Sequence, residues 1–353
     1  MRVMVTGATG NGGTATMRAL AADSRVTSLV SAARRLPGPD HPDPPGGGDS
    51  TWVEADVAHD DLTAHLAGVD VLVHLAWLFS PEHHPDVTWE ANAVGSARVF
   101  SAAEAAGVGV IVHASSVGAY SPGPGRTVDE SWPTHSRPGA AYGREKAYVE
   151  RVLDAVEASD AGRRVVRMRP AFIFQRAAAT EQRRIFAGPF IPRRLAVPGR
   201  LPVVPLPRGL RFQAVHADDV AEAYRLAVTT DVRGPFNLAA DPVVDVHVLA
   251  EILETRVVEV PRRLARAAMS AGFVAHLVPT DPDLLDLALN LPTLDASRAR
   301  QELGWTPRHT GVEALREMLT GVAAGAGGTT APLAPDSLGG RLGEVGTGIG
   351  ERP

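Results

Sequence analysis

The sequence predicts an α/β fold built on a doubly wound parallel sheet, with a smaller, discontinuous and mostly helical substrate-binding lobe. Three observations carry this expectation. Short apolar runs rich in β-branched residues recur at 2–6, 26–30, 51–55, 69–75, 108–113 and 164–169; segments of helical spacing separate them; and several runs are continuously apolar rather than alternating. Val108-Gly109-Val110-Ile111-Val112 is one such run. A strand that is apolar on both sides needs helices on both faces of its sheet, which is the arrangement of parallel strands joined by helical crossovers. Ligands of such sheets sit beyond the carboxyl ends of the strands.

The first run, Val3-Met4-Val5, leads into Thr6-Gly7-Ala8-Thr9-Gly10-Asn11-Gly12-Gly13, after which Ala15, Met17 and Leu20 open a helical face. Strand, glycine turn and helix N-terminus in that order suit a pyrophosphate. Gly7 permits the sharp turn, Gly10 lets the backbone approach the anion, and Gly13 lets the helix pack closely on the strand. An ordinary βα loop has the same composition, so the turn gains weight from its place after the first strand. The second run ends in Ala32-Ala33-Arg34-Arg35. An acid there would bind ribose hydroxyls, whereas arginine accommodates a 2′-phosphate, so the expected cofactor is NADP or NAD with the balance toward NADP, and Arg34 is the better placed cation. Both arginines can equally be solvated surface groups. In Glu54-Ala55-Asp56-Val57, Asp56 either accepts from the adenine amino group or caps a helix starting near His59. Residues 37–50 read as a loop.

The run at 108–113 continues through His113-Ala114-Ser115-Ser116 and leaves hydroxyls at the sheet edge. Ser116 is the preferred candidate for holding a substrate oxygen, and a turn or capping role is the competing reading. Further on, Tyr142 and Lys146 stand four residues apart ahead of Val149, Val152, Leu153 and Val156, so one helix face presents both. A cation beside a phenol favours the phenolate and pulls its pKa down from about 10, which makes Tyr142 a usable acid or base. Donors remain on the ammonium for ribose hydroxyls. Lys146 is also the single lysine among 35 Lys plus Arg residues, in a chain that otherwise always uses arginine.

After Pro170 the character changes. Pro189, Pro192, Pro198, Pro202, Pro205 and Pro207 break any regular element between 187 and 210, which reads as a loop on the substrate side. Short strands near 212–216 and 235–239 return to the sheet, and 246–319 is mostly helical. The expected organisation is a dinucleotide-binding domain over 1–175 with returns near 212–245, a lobe formed by 176–211 and 246–320, and a flexible Gly-, Ala- and Thr-rich tail over 321–353.

Several motifs in the same order resemble the extended short-chain dehydrogenase/reductase superfamily, in its NAD-dependent epimerase/dehydratase branch, over about residues 1–319. Thr6 to Gly13 is similar to that family's TGxxGxxG turn, His74-Leu75-Ala76 to its fourth-strand segment, and Asn92-Ala93-Val94-Gly95 to its active-site asparagine stretch. Arg169-Pro170-Ala171-Phe172-Ile173 resembles the segment that touches the nicotinamide carboxamide. Val215 to Val220 and Leu303-Gly304-Trp305 resemble later landmarks. The resemblance implies a Rossmann domain whose cofactor contacts include Gly7, Thr9, Gly10, Asn11, Gly12, Gly13, Asp56, Val57, Leu75, Ala76, Pro170 and Ile173, besides Tyr142 and Lys146. It implies that Tyr142 exchanges a proton with a substrate alcohol or carbonyl oxygen, that Ser116 steadies that oxygen, and that Asn92 supports a proton relay. Pairing through helices near 86–106 and 142–158 into a homodimer is a further implication. Two departures stand out. Val117-Gly118 follows Ser116 where family dehydratases carry Asp-Glu, which disfavours dehydration, and Asn11-Gly12 replaces bulkier residues in the turn.

Trp77, Phe79, Trp132, Phe174, Phe186 and Phe190 lie in segments expected to border the substrate, although such aromatics are commonly plain core. Arg208 and Arg211 are candidates for a phosphate or carboxylate. A net charge of -5 with no basic run speaks against nucleic acid, no apolar run is long enough to span a membrane, and the opening residues carry no signal-peptide region, so a cytoplasmic location is expected. Zero cysteines exclude disulfides, and His83-His84 and the other histidines show no metal-ligand spacing and are expected to face solvent. The chain reads as an epimerase that oxidises and re-reduces one centre of a small, possibly sugar-derived substrate, or as an NADPH-dependent reductase of a non-sugar carbonyl. The rival from another class is a non-catalytic dinucleotide-binding regulator.

Overall fold

The computed structural model describes residues 1–38, 50–79, 83–188, 190 and 192–335. Seven strands form one parallel sheet: β1 (Arg2–Thr6), β2 (Ser28–Ala33), β3 (Thr51–Glu54), β4 (Val71–His74), β5 (Val110–Ala114), β6 (Arg164–Pro170) and β7 (Gly234–Leu238). Their order is β3-β2-β1-β4-β5-β6-β7, so the winding reverses between β1 and β4. Thr6 pairs with Ala32 on one side and His74 on the other, and His74 with His113, so the carboxyl ends of these strands form a level shelf at the switch point.

The continuous apolar runs are explained by two separate cores, one on each sheet face. Val3, Val5, Leu29, Val73 and Val166 pack with Met17 and Leu20 of α1 (Asn11–Ala21) and with Trp305. Met4, Val30, Leu72, Ile111 and Val165 pack on the other face with Val99 and Phe100 of α2 (Gly95–Ala105) and Val149 and Leu153 of α3 (Ala141–Ser159). Alternate side chains of each strand thus enter different cores. A fourth helix, α4 (Ala217–Thr229), lies along α1.

Three sequence expectations are corrected. The strand at Arg211–His216 does not return to the main sheet; it joins Phe172–Phe174 and Ala240–Asp245 in a separate three-stranded sheet. The Pro-rich stretch is not wholly irregular, because Val203–Pro207 pairs in parallel with Arg256–Val260. A two-stranded sheet has only edges, and an edge strand tolerates prolines whose missing N–H would face outward. The tail does not begin at 321: helix Gly311–Ala324 runs on, closed by Gly325 at φ 65°, and residues 325–335 fold back with Leu333 buried. Residues 336–353 of the expected tail and 39–49 of the expected loop lie outside the described residues. Among the described residues no helix is long and apolar enough to cross a membrane.

Candidate active site

At the level shelf, the turn after β1 has the geometry of an anion cradle. Gly7 adopts φ 71°, and a Cβ there would lie 2.6 Å from the backbone nitrogen of Ala76, so the chain after β4 passes against it. A Cβ on Gly13 would lie 2.1 Å from the Gly7 carbonyl oxygen. Gly10 is the N-cap of α1 without a side-chain cap, which leaves the N–H groups of the first helical turn for a ligand's oxygens. A dinucleotide's pyrophosphate fits this cradle. The unusual Asn11 ties the turn down rather than loosening it. Its amide donates to the Ile173 carbonyl (3.3 Å), and Gln175 Nε2 donates to its side-chain oxygen (2.7 Å) and to its backbone oxygen (2.9 Å). Arg34 is exposed just beyond β2, with no ion pair among the described residues. Asp56 Oδ1 accepts from Ala58 N (3.0 Å) and closes a turn, not a helix, and the Val57 carbonyl lies 2.9 Å from where a Cβ on Gly95 would stand.

The proton-transfer group assembles where β5 ends and α3 begins. Ser115 Oγ donates to Glu150 (2.6 Å), which leaves Ser116 for the site. Ser116 Oγ accepts from Gly118 N (3.0 Å) and lies against the Tyr142 hydroxyl, where its hydrogen bond favours the phenolate. That effect is outweighed: burial pushes the Tyr142 pKa up to about 12. Lys146 Nζ donates to the Ala114 carbonyl (2.6 Å), sits 3.2 Å from the Trp77 ring centroid, and is 5.9 Å from that of Tyr142. Burial holds its own pKa well below the ordinary lysine value. The expected lowering of the Tyr142 pKa by its lysine is therefore not found, because desolvation acts on both groups and the ammonium is held by a carbonyl and an indole face.

Asn92 occupies a π-helical turn (Glu90–Val94) between helix Pro85–Trp89 and α2, a local widening that recurs at functional sites. Its side-chain oxygen accepts from Leu78 N (2.7 Å), and its amide donates to the Leu78 carbonyl (2.7 Å) and to Glu145 (2.7 Å). Glu145 also accepts from Thr88 (2.7 Å), and burial raises its pKa. Asn92 thus fixes the loop that carries Trp77 and Phe79. These two rings flank Tyr142, with centroids at 6.0 Å and 5.1 Å, and Phe186 touches Phe79 at 5.4 Å.

Residues 3–239 match the sequence profile of the NAD-dependent epimerase/dehydratase family. The chain belongs to this family. Among family relatives, 4-hydroxy-2-methyl-3-oxo-4-farnesyl-3,4-dihydroquinoline-1-oxide ketoreductase of Stigmatella aurantiaca is 30% identical over 284 residues, covering 72% of this chain and 79% of its own length. L-Arabinose 1-dehydrogenase (NAD(P)(+)) of Haloferax volcanii is 38% identical over 115 residues, 32% of this chain and 40% of its own. UDP-glucose-4-epimerase of Stenotrophomonas maltophila, solved with NAD and formylated UDP-arabinopyranose, shares the fold at a TM-score of 0.67 and 22% identity, over 92% of this chain and 98% of its own. A short-chain dehydrogenase/reductase superfamily protein of Agrobacterium tumefaciens with bound NAD gives 0.66 and 21%, over 92% and 96%. As a member of the epimerase/dehydratase family, the protein is an NAD-dependent oxidoreductase-type enzyme of the extended short-chain dehydrogenase/reductase kind.

Leu75 N donates to the Thr6 carbonyl (3.1 Å), and just past Pro170, where β6 ends, Ala171 N donates to the Leu238 carbonyl (2.9 Å). Other candidates are not brought to Tyr142. Phe174 is buried with Val244, Leu249 and Leu315 in the lobe's own core, because its strand turns that side chain away from the sheet edge. Arg211 is the exposed first residue of a largely buried strand, in register with Asp245. His83 does not face solvent but stacks on Phe273 (3.7 Å) and His276 (4.4 Å). A polar hollow of about 660 Å³ between α1 and α4, walled by the Asp23–Arg225–Glu222 ion pairs, lies on another part of the surface and contains none of the proton-transfer residues.

Sequence reasoning missed Glu145, Gly118 and Ser136. A Cβ on Gly118 would stand 2.8 Å from Cε1 of Tyr142, and Ser136 Oγ donates to the Gly118 carbonyl (2.8 Å), so both set the phenol's position. A carboxylate between Tyr142 and Lys146 was a visible signal for Glu145; Ser136 gave none.

Proposed function

We propose that the protein is a net reductase of a non-sugar carbonyl compound, run on NADP in preference to NAD, with Tyr142 as the proton donor. The observation that carries this reading is the ring of aromatics on Tyr142: Trp77, Phe79 and, behind it, Phe186. Rings packed edge-on and tilted against the Tyr142 ring favour a flat or apolar substrate over a sugar, whose hydroxyls need hydrogen-bonding partners. The ketoreductase relative points the same way, and Val117-Gly118 in place of an acidic pair removes the groups that elimination of water would use.

A bound nicotinamide supplies the hydride at its C4 position. The protein's residues do the remainder. Ser116 and Tyr142 hold the carbonyl oxygen, and the Tyr142 hydroxyl passes its proton to that oxygen as negative charge develops there. Lys146 orients ribose hydroxyls with the N–H groups it does not give to the Ala114 carbonyl. Asn92 and Glu145 keep the aromatic loop closed over the site and exclude water. Denaturing the purified protein and identifying what it releases tests the reading. Protein that carries no nucleotide and binds NADPH supports a reductase, which exchanges its cofactor every turnover; stoichiometric NAD means an epimerase.

The NADP preference rests on Arg34. Replacing it with Ala is expected to raise the Kd for NADPH about tenfold, the loss of one charge-assisted contact, and to leave NADH unchanged; equal effects on both would remove the basis for NADP. A cytoplasmic location suits an enzyme that draws on a soluble nicotinamide pool. A homodimer through the helices near 86–106 and 142–158 suits the exposed Val87 (44%) and Tyr148 (43%), the latter with its ring tilted against Trp89 at 4.9 Å. Light scattering should give twice the 37.1 kDa chain mass, and the single mass would rule the pair out.

A further inference from the structure

The segment after the last long helix reaches across the molecule to the glycine turn. Beyond Gly325 the chain reverses: Ala326 N donates to the Gly321 carbonyl (2.8 Å), and the Ala326 carbonyl accepts from both Thr180 N (3.2 Å) and Thr180 Oγ1 (2.7 Å) on helix Ala179–Phe186. Gly328 N donates to the Leu333 carbonyl (2.6 Å), and a Cβ on Gly327 would stand 2.4 Å from that same oxygen, so the loop is drawn tight around Leu333. At its tip Thr330 is 2% exposed and donates from Oγ1 to the carbonyl of Thr9 (2.7 Å).

We propose that residues 325–335 form a strap that positions the pyrophosphate-binding turn, and that Thr330 is the positioning residue through which it acts. The proposal rests on the cofactor reading above. The Thr9–Gly10 peptide is fixed at both ends, its carbonyl by Thr330 and its N–H by the Gly7 carbonyl (3.1 Å). One residue on, Asn11 is held by Gln175 and Ile173. The turn is therefore fastened from outside on either side of Gly10, the residue at which α1 presents its uncapped first-turn N–H groups. Such groups bind an anion well only when their directions are set beforehand, because ordering them on binding costs affinity. Without the Thr330 hydroxyl the Thr9 carbonyl is left buried and unpaired, and the peptide rotates to find another donor. Helix Ala179–Phe186 holds the other end of the strap and carries Phe186 to the aromatic ring of the site, so one segment touches both the cofactor turn and the substrate side.

The test is equilibrium binding of NADH, NADPH and ADP-ribose to the wild-type chain and to Thr330→Val and Thr330→Ser. Thr330→Val should weaken all three ligands about tenfold, and Thr330→Ser, which keeps the hydroxyl, should stay within about twofold of wild type. Adenosine, which has no phosphate, should bind both variants as it binds wild type. Affinities of Thr330→Val within twofold of wild type, or an equal loss for adenosine, overturn the proposal. Hydrogen exchange on the wild-type protein gives a reading that needs no variant: NADPH should protect 326–334 together with 7–14, and protection confined to 7–14 overturns it. If wild type binds none of the dinucleotides or ADP-ribose, the cofactor reading fails and takes the strap with it; if it binds them with a silent strap, the strap alone fails.

Discussion

Tyr142→Phe should lower kcat by about 10²- to 10⁴-fold while leaving the affinity for NADPH and NADH nearly unchanged, since it removes one hydroxyl and keeps the ring. The ring keeps its contacts with Phe79 and Trp77, and the cradle of Gly7, Gly10 and Gly13 lies on a different strand end. Burial keeps the wild-type phenol protonated far above neutrality, so Tyr142 stands as a proton donor. Carbonyl reduction should accordingly run at a level rate through neutral and mildly alkaline pH. Alcohol oxidation, which needs the deprotonated form, should climb with pH. Steady-state rates in both directions check the pair of statements. Turnover that survives Tyr142→Phe would mean that the chemistry lies elsewhere, and absence of turnover in both proteins with dinucleotide binding intact would favour a regulator.

The second large effect is on stability. Glu150 on α3 is completely buried and accepts from Nε and Nη2 of Arg169 (2.8 Å each) and from the Ser115 hydroxyl (2.6 Å). Arg169 in turn donates to the hydroxyl of buried Tyr120 (2.9 Å). Glu150→Gln leaves a buried guanidinium without its counter-charge directly beneath Ser115 and Ser116. Breaking one side of such a pair costs about 3–5 kcal/mol. Urea unfolding should show a lower midpoint at an unchanged slope. The sign with pH follows from the shift. Burial alone would raise the Glu150 pKa, but the hydrogen bonds and charge of Arg169, the Ser115 hydroxyl and the charge of Arg167 together outweigh it and hold it below the ordinary value. A depressed carboxylate stabilises the fold above its unfolded pKa, and that contribution is lost as pH falls through its folded pKa. The gap between wild type and Glu150→Gln should narrow in the same acid range.

The parts of this fold that were legible in the sequence are those fixed by local periodicity. β1, the glycine turn and α1 follow one another within 21 residues, and Tyr142 and Lys146 share a helix face by spacing alone. What escaped was set by contacts between distant segments. Thr330 lies 321 residues from Thr9, and nothing in its Gly- and Thr-rich surroundings distinguishes a strap from a loose tail. Pro205 and Pro207 fall in a strand because Arg256–Val260 supplies a partner for an edge. Phe174 and Phe79 are the same residue type, yet Phe174, on the strand Phe172–Phe174, enters the lobe's core, and Phe79, in the loop after β4, meets Tyr142. Lys146 stands out in the sequence as the single lysine, but its partners, the Ala114 carbonyl and the Trp77 ring, come from two other strand ends.

Ionisation of Tyr142 can be read without knowing the substrate, by ultraviolet difference titration of the wild-type protein against Tyr142→Phe in the absence of ligands. A phenol kept protonated by burial should show no tyrosinate signal near neutrality and should ionise only at about 12. A tyrosinate that appears around neutral pH, and vanishes in Tyr142→Phe, would contradict the assignment of Tyr142 as the resident acid.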